Sequence, residues 1–314
     1  MPLDPQAQKL LDAEKAKGSL PLHFLPVAVS RAKRDAVYST SEGFEPVAQV
    51  QDIFIPSPAG NIMIRIFTPT GVGPFPVVVY FHGGGWVLSN INTHDSLCRR
   101  LTNQSGCLVV AVEYRLAPEN KFPAAIEDAY AATQWVSNNA TLFNGDPAKI
   151  AVAGDSAGGH LATVVAQLSR DRGGPNLSYQ VLIYPVTDYF LPGTDSYKEF
   201  ADGYFLDRDS MIWYWFNFLP NDIEINNPYI CPLRTPDLSG LPPAFIITAE
   251  YDPLRDEGEL YAKRLEESGV PTKLMRYDGM MHLFVLQWRW LDKGREAIDN
   301  IGAELLKAFK LKQS

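Results

Sequence analysis

The chain has 314 residues, a formal net charge of -8, 46% hydrophobic residues and three cysteines. This length suits one α/β domain with an appended cap, and the composition is typical of a globular protein. The acidic balance argues against partners that need a basic surface, so neither nucleic acid nor an anionic membrane is expected. The spacing of the three cysteines, Cys98, Cys107 and Cys231, matches neither a disulfide framework nor a zinc site. We therefore expect them to be small buried side chains, in a protein of a reducing, cytoplasmic compartment.

The amino-terminal segment carries one helical pattern. Residues 5–17 predict a short helix with Leu10 and Leu11 on its apolar side, and no element is predicted from there to about Gly43. The segment is acidic at several positions and has no apolar core, so it does not match a secretory signal peptide. No apolar run approaches the ~18 residues of a membrane span, so no membrane-spanning segment is expected.

Eight strand patterns follow, with helical patterns in most of the gaps. The first two, 49–55 and 61–67, alternate apolar and polar residues around a turn and predict an antiparallel pair. Six near-continuous apolar runs are typical of parallel strands buried on both faces: 76–81, 107–114, 149–154, 179–185, 243–250 and 272–277. Helices are predicted at 93–105, 123–140, 157–170, 256–268 and 284–311. This order predicts an α/β fold with a mostly parallel, eight-stranded sheet between flanking helices.

The alternation is interrupted between Val186 and Leu241, where no clear strand pattern appears. Eleven of the thirty residues from 189 to 218 are aromatic. An insertion of this length inside a compact domain is usually functional. The aromatic residues either form a small core of their own or provide an apolar cap over a pocket, and the two interpretations are compatible. Under the second, Trp213 and Phe216 are candidates for substrate contact.

The motif GDSAG (154–158) lies between a predicted strand and a predicted helix. This context matches a nucleophile elbow, a sharp turn that exposes the serine oxygen above the carboxyl end of its strand. The flanking glycines allow two chain segments to approach the turn closely. Ser156 is therefore the candidate nucleophile, and the alternative is a serine that merely caps a helix.

A serine nucleophile needs a base, and the chain has five histidines. His282 follows the last predicted strand, at the carboxyl end where α/β sheets place their sites, and is the candidate base. His160 lies on the helix after Ser156 and is expected to serve packing. His94 is interpreted as part of a helix start, and no role is assigned to His23.

An imidazole base needs an acid that fixes its tautomer. Asp252 directly follows the strand 243–250 and is the candidate. Three other acids are weaker candidates. Glu250 is still in or near the strand, and Asp256 is expected to cap the next helix. Asp278 is too close to His282 in sequence to reach round the imidazole ring easily. The order serine, aspartate, histidine is that of an α/β-hydrolase sheet.

The motif HGGGW (82–86) follows another strand. Successive glycines leave backbone N–H groups free to converge on one point, as an oxyanion hole requires. We expect Gly83, Gly84 and Ala157 to donate to the oxyanion, His82 to hold the loop, and Trp86 to line the site. The spacing of a phosphate-binding glycine loop is absent.

Five motifs in this order resemble the hormone-sensitive-lipase family of α/β-hydrolases, a group that includes bacterial and archaeal carboxylesterases. The motifs are HGGGW (82–86), EYRLAPENKFPAAIEDA (113–129), GDSAGGHLA (154–162), DPLRDEG (252–258) and GMMHLF (279–284). The resemblance implies the same triad and oxyanion donors, and a homodimer. It also implies a helical cap, which divides the chain into 1–45 (cap), 46–185 (core), 186–225 (cap insertion) and 226–314 (core). Leu283 departs from the family, where glycine often follows the base.

The predicted function is a serine carboxylesterase that acts on small-molecule esters with short- to medium-length acyl chains, without a cofactor or metal. Two alternatives remain open from the sequence. The same triad supports amide or peptide hydrolysis, and a hydrolase fold also supports a non-catalytic small-molecule binding protein. The presence of His282 argues against the receptor branch of the family, which has lost the base.

Overall fold

The computed structural model describes residues 2–39, 44–57, 59–222 and 224–310. Its eight strands are β1 Gln49–Ser57, β2 Gly60–Thr68, β3 Phe75–Phe81, β4 Leu108–Glu113, β5 Gly145–Asp155, β6 Tyr179–Ile183, β7 Ala244–Tyr251 and β8 Thr272–Met281. They form one sheet in the order β1-β2-β4-β3-β5-β6-β7-β8. Strand β2 pairs antiparallel with β1 and β4, and the remaining pairs are parallel. The predicted mostly parallel α/β fold is confirmed.

The helices are α1 Pro5–Ala16, α2 Val27–Tyr38, α3 Asp95–Ser105, α4 Ala124–Asn139, α5 Ala157–Asp171, α6 Asp195–Glu199, α7 Arg208–Phe218, α8 Arg255–Glu267 and α9 Asp292–Ala308. Side chains of a strand alternate between faces, so each face of the sheet has its own apolar cluster. Val77 and Val79 of β3 pack on the side of α4, α5 and α8, whereas Val78 packs on the side of α3 and α9. The core therefore lies in two layers, one on each side of the sheet.

Four helices differ from the sequence prediction. Helix α2 was not predicted, and only Ser30 of its twelve residues is buried. The predicted helix 284–311 begins later, at Asp292. Leu283 has a positive φ of 71° and turns follow it, which delays the helix. Helices α6 and α7 lie within the insertion that showed no strand pattern.

The aromatic insertion packs into the main core. Tyr197, Tyr214, Trp215 and Phe218 belong to the apolar cluster that also contains β3 and α5 residues. The amino-terminal helices take different places: the N–H of Asp4, which caps α1, bonds to Gly279 O of β8, and the short turn before α2 contacts α7. The division into cap and core at residues 45, 185 and 225 stays a prediction.

All three cysteines are buried and unbridged. Within the described ranges, no helix combines the length and apolar character needed to cross a membrane.

Candidate active site

Ser156 lies on the sharp turn between β5 and α5. Its φ of 56° is uncommon for a residue with a side chain, as expected for the serine of a nucleophile elbow. The turn is fixed by the Ser156 N–H, which donates to Ile183 O at 2.8 Å. Only 6% of Ser156 is exposed, and the residue lies at the amino end of α5. Such a helix end favours negative charge.

A continuous hydrogen-bond chain runs from the serine to a buried carboxylate. His282 Nε2 lies 3.0 Å from Ser156 Oγ, and His282 Nδ1 lies 2.6 Å from Asp252 Oδ2. The other oxygen, Asp252 Oδ1, accepts the Leu254 N–H at 2.9 Å, which fixes the carboxylate. Asp252 and His282 are both buried. The structure thus brings together the three side chains that the sequence assigned to a triad.

The three other acids considered from the sequence lie in different bonds. Glu250 Oε2 accepts the Gly279 N–H at 2.6 Å. Asp256 accepts the Ser196 N–H at 2.8 Å and pairs with Arg255. Asp278 is exposed. Each of these carboxyl groups is thus accounted for away from the imidazole of the candidate base.

An aromatic ring holds the imidazole from the side. The Tyr184 ring centroid lies 4.5 Å from that of His282, and Tyr184 is itself buried at the carboxyl end of β6. Tyr184 has a positive φ of 34°, which the buried surroundings maintain. The Tyr184 ring thus packs beside the imidazole that bonds to serine and aspartate. Sequence reasoning did not single out this residue, because it reads as the end of an apolar strand.

The oxyanion loop requires a correction of one residue. The Gly83 N–H donates to Asp155 Oδ1 at 3.0 Å in a buried bond, so it is not free to stabilise an oxyanion. The prediction for Gly83 was wrong, because the sequence does not reveal which N–H the neighbouring carboxylate occupies. Within the described chain, the N–H groups of Gly84 and Gly85 have no hydrogen-bond partner. Gly84 has a φ of 124°, which favours glycine and turns the loop.

His82 supports this loop from behind, as expected. Its Nδ1 lies 2.8 Å from Gly83 O, and its ring stacks on Tyr114 with centroids 4.2 Å apart. The Tyr114 hydroxyl donates to His82 O at 2.6 Å. Burial lowers the pKa of His82 to about 3, so the imidazole is neutral at physiological pH and acts as a structural donor.

Trp86 does not line the site, contrary to the sequence prediction. It is fully buried, and its ring stacks on Phe218 and contacts Trp215. The indole Nε1 donates to His160 Nδ1 at 3.2 Å, and His160 Nε2 donates to Ile230 O at 3.2 Å. Cap and core residues thus enclose Trp86, and no face is left for a substrate. His160 serves packing, as expected.

The cap candidates occupy different faces of α7. Tyr214 and Phe218 lie four residues apart on one face, whereas Phe216 is rotated by about 200° from both and is 69% exposed. Phe216 thus lies on a different face of α7 from Tyr214, and its substrate contact stays a prediction. Tyr214 was not predicted, yet its ring lies directly against Gly85 of the oxyanion loop. Trp213 is half-buried beside Tyr214, and its substrate contact stays a prediction.

Helix α2 also covers the loop, a role that its sequence does not indicate. Arg31 Nε donates to Val87 O at 2.8 Å, and its Nη2 donates to Ala117 O at 2.8 Å. In the described parts of the chain, no group of three or more His, Cys, Asp or Glu side chains is arranged to hold a metal ion.

Comparisons with known proteins identify the family of the chain. A family model described as the alpha/beta hydrolase fold matches residues 78–286. The carboxylic ester hydrolase LipN of Mycobacterium tuberculosis is 41% identical over 290 residues, 90% of this chain and 77% of that protein. The arylesterase of Saccharolobus solfataricus is 37% identical over 311 residues, 99% of this chain and 100% of that protein.

Solved structures show the same likeness. A hyperthermophilic esterase from Pyrobaculum calidifontis superposes with a TM-score of 0.94 at 45% identity, covering 97% of this chain and 98% of its own. An α/β-hydrolase from the metagenome of Lake Arreo superposes with a TM-score of 0.94 at 43% identity, covering 98% of this chain and 99% of its own. The chain therefore belongs to the α/β-hydrolase family, within the hormone-sensitive-lipase group, and is a carboxylic ester hydrolase.

Proposed function

We propose that the protein hydrolyses short- to medium-chain acyl esters through a triad of Ser156, His282 and Asp252. The observation that carries this proposal is the unbroken chain of buried hydrogen bonds, 3.0 Å from serine to imidazole and 2.6 Å from imidazole to carboxylate. A serine hydroxyl is a weak nucleophile at neutral pH unless a base accepts its proton. Asp252 holds the imidazole in the tautomer that can do so.

The reaction proceeds in two halves. Ser156 Oγ attacks the carbonyl carbon while His282 Nε2 takes the serine proton. The tetrahedral intermediate collapses, the bond to the alcohol oxygen breaks, and the imidazolium returns the proton to the leaving alcohol. Water then attacks the acyl-enzyme with His282 again as base, which releases the acid and restores the serine. Atoms and protons balance without a cofactor.

The developing alkoxide is held by the N–H groups of Gly84, Gly85 and Ala157. The support for the two glycines is that neither N–H has another partner in the described chain. Ala157 is the first residue of α5, where an N–H has no partner within the helix. Donors of this kind stabilise charge that exists only in the transition state.

The acyl-chain range rests on the cap. Tyr214 lies against Gly85, and Trp213 lies beside it, so aromatic side chains bound the space next to the oxyanion loop. A closed pocket with apolar walls favours soluble esters with acyl chains of limited length over substrates in a lipid surface. A panel of p-nitrophenyl esters of increasing chain length tests this, and a rate maximum at the longest chains would contradict it.

The triad is tested by covalent labelling. An organophosphate should modify the wild-type protein once, at Ser156, and abolish ester turnover. The Ser156→Ala variant should stay folded, resist labelling and lose about 10⁶-fold in kcat, the loss that removal of the nucleophile causes in subtilisin. A folded variant with more than a tenth of wild-type activity would exclude Ser156 as the nucleophile.

The same measurements separate the alternative functions. A wild-type protein that is neither labelled nor active would favour the binding-protein alternative. Faster turnover of anilides than of the matched esters would favour an amidase.

We also propose a homodimer, which the family resemblance implies. The last strand, β8, pairs with β7 and lies at the edge of the sheet, and an edge strand can pair with a second copy. Light scattering on the purified protein tests the mass, and a strictly monomeric mass would contradict the proposal. A cytoplasmic location stays a prediction.

A further inference from the structure

A second aspartate–histidine pair lies behind the oxyanion loop. Asp155, the residue before the nucleophile, is fully buried. Its Oδ1 accepts the Tyr80 hydroxyl at 2.7 Å and the Gly83 N–H at 3.0 Å. His94 Nε2 lies 3.2 Å from the same oxygen and 3.4 Å from Oδ2. The carboxylate thus has three hydrogen-bond donors, and one of them belongs to the loop itself.

Neighbouring groups hold the ring of His94 in place. The Thr93 hydroxyl donates to Asn90 O at 2.7 Å, and Thr93 Oγ1 lies 2.9 Å from His94 Nδ1. His94 Nε2 lies within hydrogen-bond distance of both Asp155 oxygens. The imidazole is thus fixed between Thr93 and the Asp155 carboxylate.

The charges in this pocket are mutually consistent. Burial acts to raise the pKa of Asp155, but the interactions with His94 and Tyr80 outweigh it and hold that pKa below its usual value. His82, whose ring lies 5.5 Å from that of His94, is neutral at physiological pH, because burial lowers its pKa to about 3. The hydrogen-bond donors around the buried Asp155 carboxylate satisfy it, as a buried polar group requires.

Contact between the loop and the carboxylate is direct. A side chain on Gly83 would overlap the Asp155 carboxylate, so only glycine allows the approach. Asp155 precedes the nucleophile by one residue, and Gly83 precedes the donor Gly84 by one residue. This hydrogen bond therefore joins the loop that carries the oxyanion donors to the residue next to the attacking serine.

We propose that Asp155, charged and held by His94, is a positioning residue that fixes the oxyanion loop against Ser156. It acts through Gly83 and touches no reacting atom. This inference rests on the proposed serine mechanism. Misplacement of catalytic groups by about 1 Å costs roughly 10²-fold in rate. The loss should appear in kcat, because the oxyanion exists only in the transition state.

The test compares Asp155→Ala and Asp155→Asn with the wild type. Asp155→Ala should lower kcat about 10²-fold with KM changed less than threefold. Affinity for a trifluoromethyl ketone, which forms a charged hemiketal on Ser156, should fall by the same factor as kcat/KM. Asp155→Asn keeps an acceptor for Gly83 but loses the charge, so it should recover part of the activity.

Asp128→Asn is the matched control, because Asp128 is also buried and ion-paired, to Arg115. It should alter stability without a selective loss in kcat or inhibitor affinity. If Asp155→Ala does not fold, Asp155→Asn and His94→Gln provide the test instead. Each of these variants should have a lower kcat than the wild type and an unchanged KM. Folded variants with kcat within threefold of wild type would overturn the inference. Organophosphate labelling of the wild type separates this outcome from failure of the serine mechanism itself.

Discussion

The indole of Trp86 stacks on the ring of Phe218, with centroids 4.2 Å apart and an interplanar angle of 11°. Trp86 ends the glycine-rich loop, and Phe218 ends α7 of the aromatic insertion. Trp86 has a positive φ of 60°, an unfavourable conformation for a bulky residue that the surrounding contacts maintain. The oxyanion loop and α7 are therefore packed together, and α7 carries Tyr214 to a position against Gly85.

This packing predicts which cap residue sets the acyl-chain preference. Tyr214→Ala should open space beside Gly85 and raise kcat/KM for longer acyl chains relative to butyrate. Phe216→Ala is the matched control on the same helix, because Phe216 is 69% exposed, and its profile should equal that of the wild type. The chain-length profile of p-nitrophenyl esters measures both. A shift in the Phe216 variant, with none in the Tyr214 variant, would reverse the assignment.

Replacement of the triad acid should distinguish Asp252 from its rival. In Asp252→Asn the amide cannot support the correct imidazole tautomer, and kcat should fall by about 10⁴-fold, as it does in proteases of the chymotrypsin type. Asp278→Asn should change kcat less than threefold, because Asp278 is exposed. Steady-state kinetics on both purified variants measure the difference. Comparable losses in the two variants would contradict the assignment.

The pH dependence of the reaction should show one ionisation. His282 must be neutral to accept the serine proton, so kcat/KM for a non-ionising ester should rise with pH and then level off. Burial lowers the pKa of His82 to about 3 and that of His160 to about 4, so neither titrates above pH 5. A flat profile from about pH 5 to 8, with chemistry rate-limiting, would exclude His282 as the base.

Buried neutral histidines should also make stability depend on pH. The pKa of His160 falls from 6.5 to about 4 on folding, so the unfolded chain binds its proton first as the pH decreases. The stability contribution is complete above pH 6.5 and is lost progressively as the pH falls towards 4. Between pH 7 and 5 this one group accounts for roughly 2 kcal/mol of the free energy of unfolding.

Urea unfolding of the wild type and His160→Gln at pH 7 and pH 5 measures this contribution. The variant is expected to be less stable at pH 7, because it loses the hydrogen bonds to Trp86 and Ile230. It should nevertheless lose less stability than the wild type on acidification. An identical decrease in the two proteins would show that His160 does not resist protonation.

Local patterns in the sequence were sufficient for the sheet and for the order of the chemical groups. Near-continuous apolar runs predict parallel strands because both faces of such strands are buried. The carboxyl ends of these strands lie at one edge, so Ser156, Asp252 and His282 could be assigned together from their positions after strands. The glycines on either side of the serine are required by the local geometry of the turn, so the motif can be recognised from the sequence alone.

Contacts between distant segments were decided only by the tertiary structure. Which N–H of the glycine loop is free depends on Asp155, 72 residues away from Gly83, and the pattern of three glycines is the same whichever one bonds. The sequence pattern favoured Trp86 as a pocket residue, whereas Phe218 and His160 enclose it in the folded chain. Helix α2 contacts the loop through hydrogen bonds from Arg31, and hydrophobic periodicity in the sequence does not reveal polar contacts of this kind.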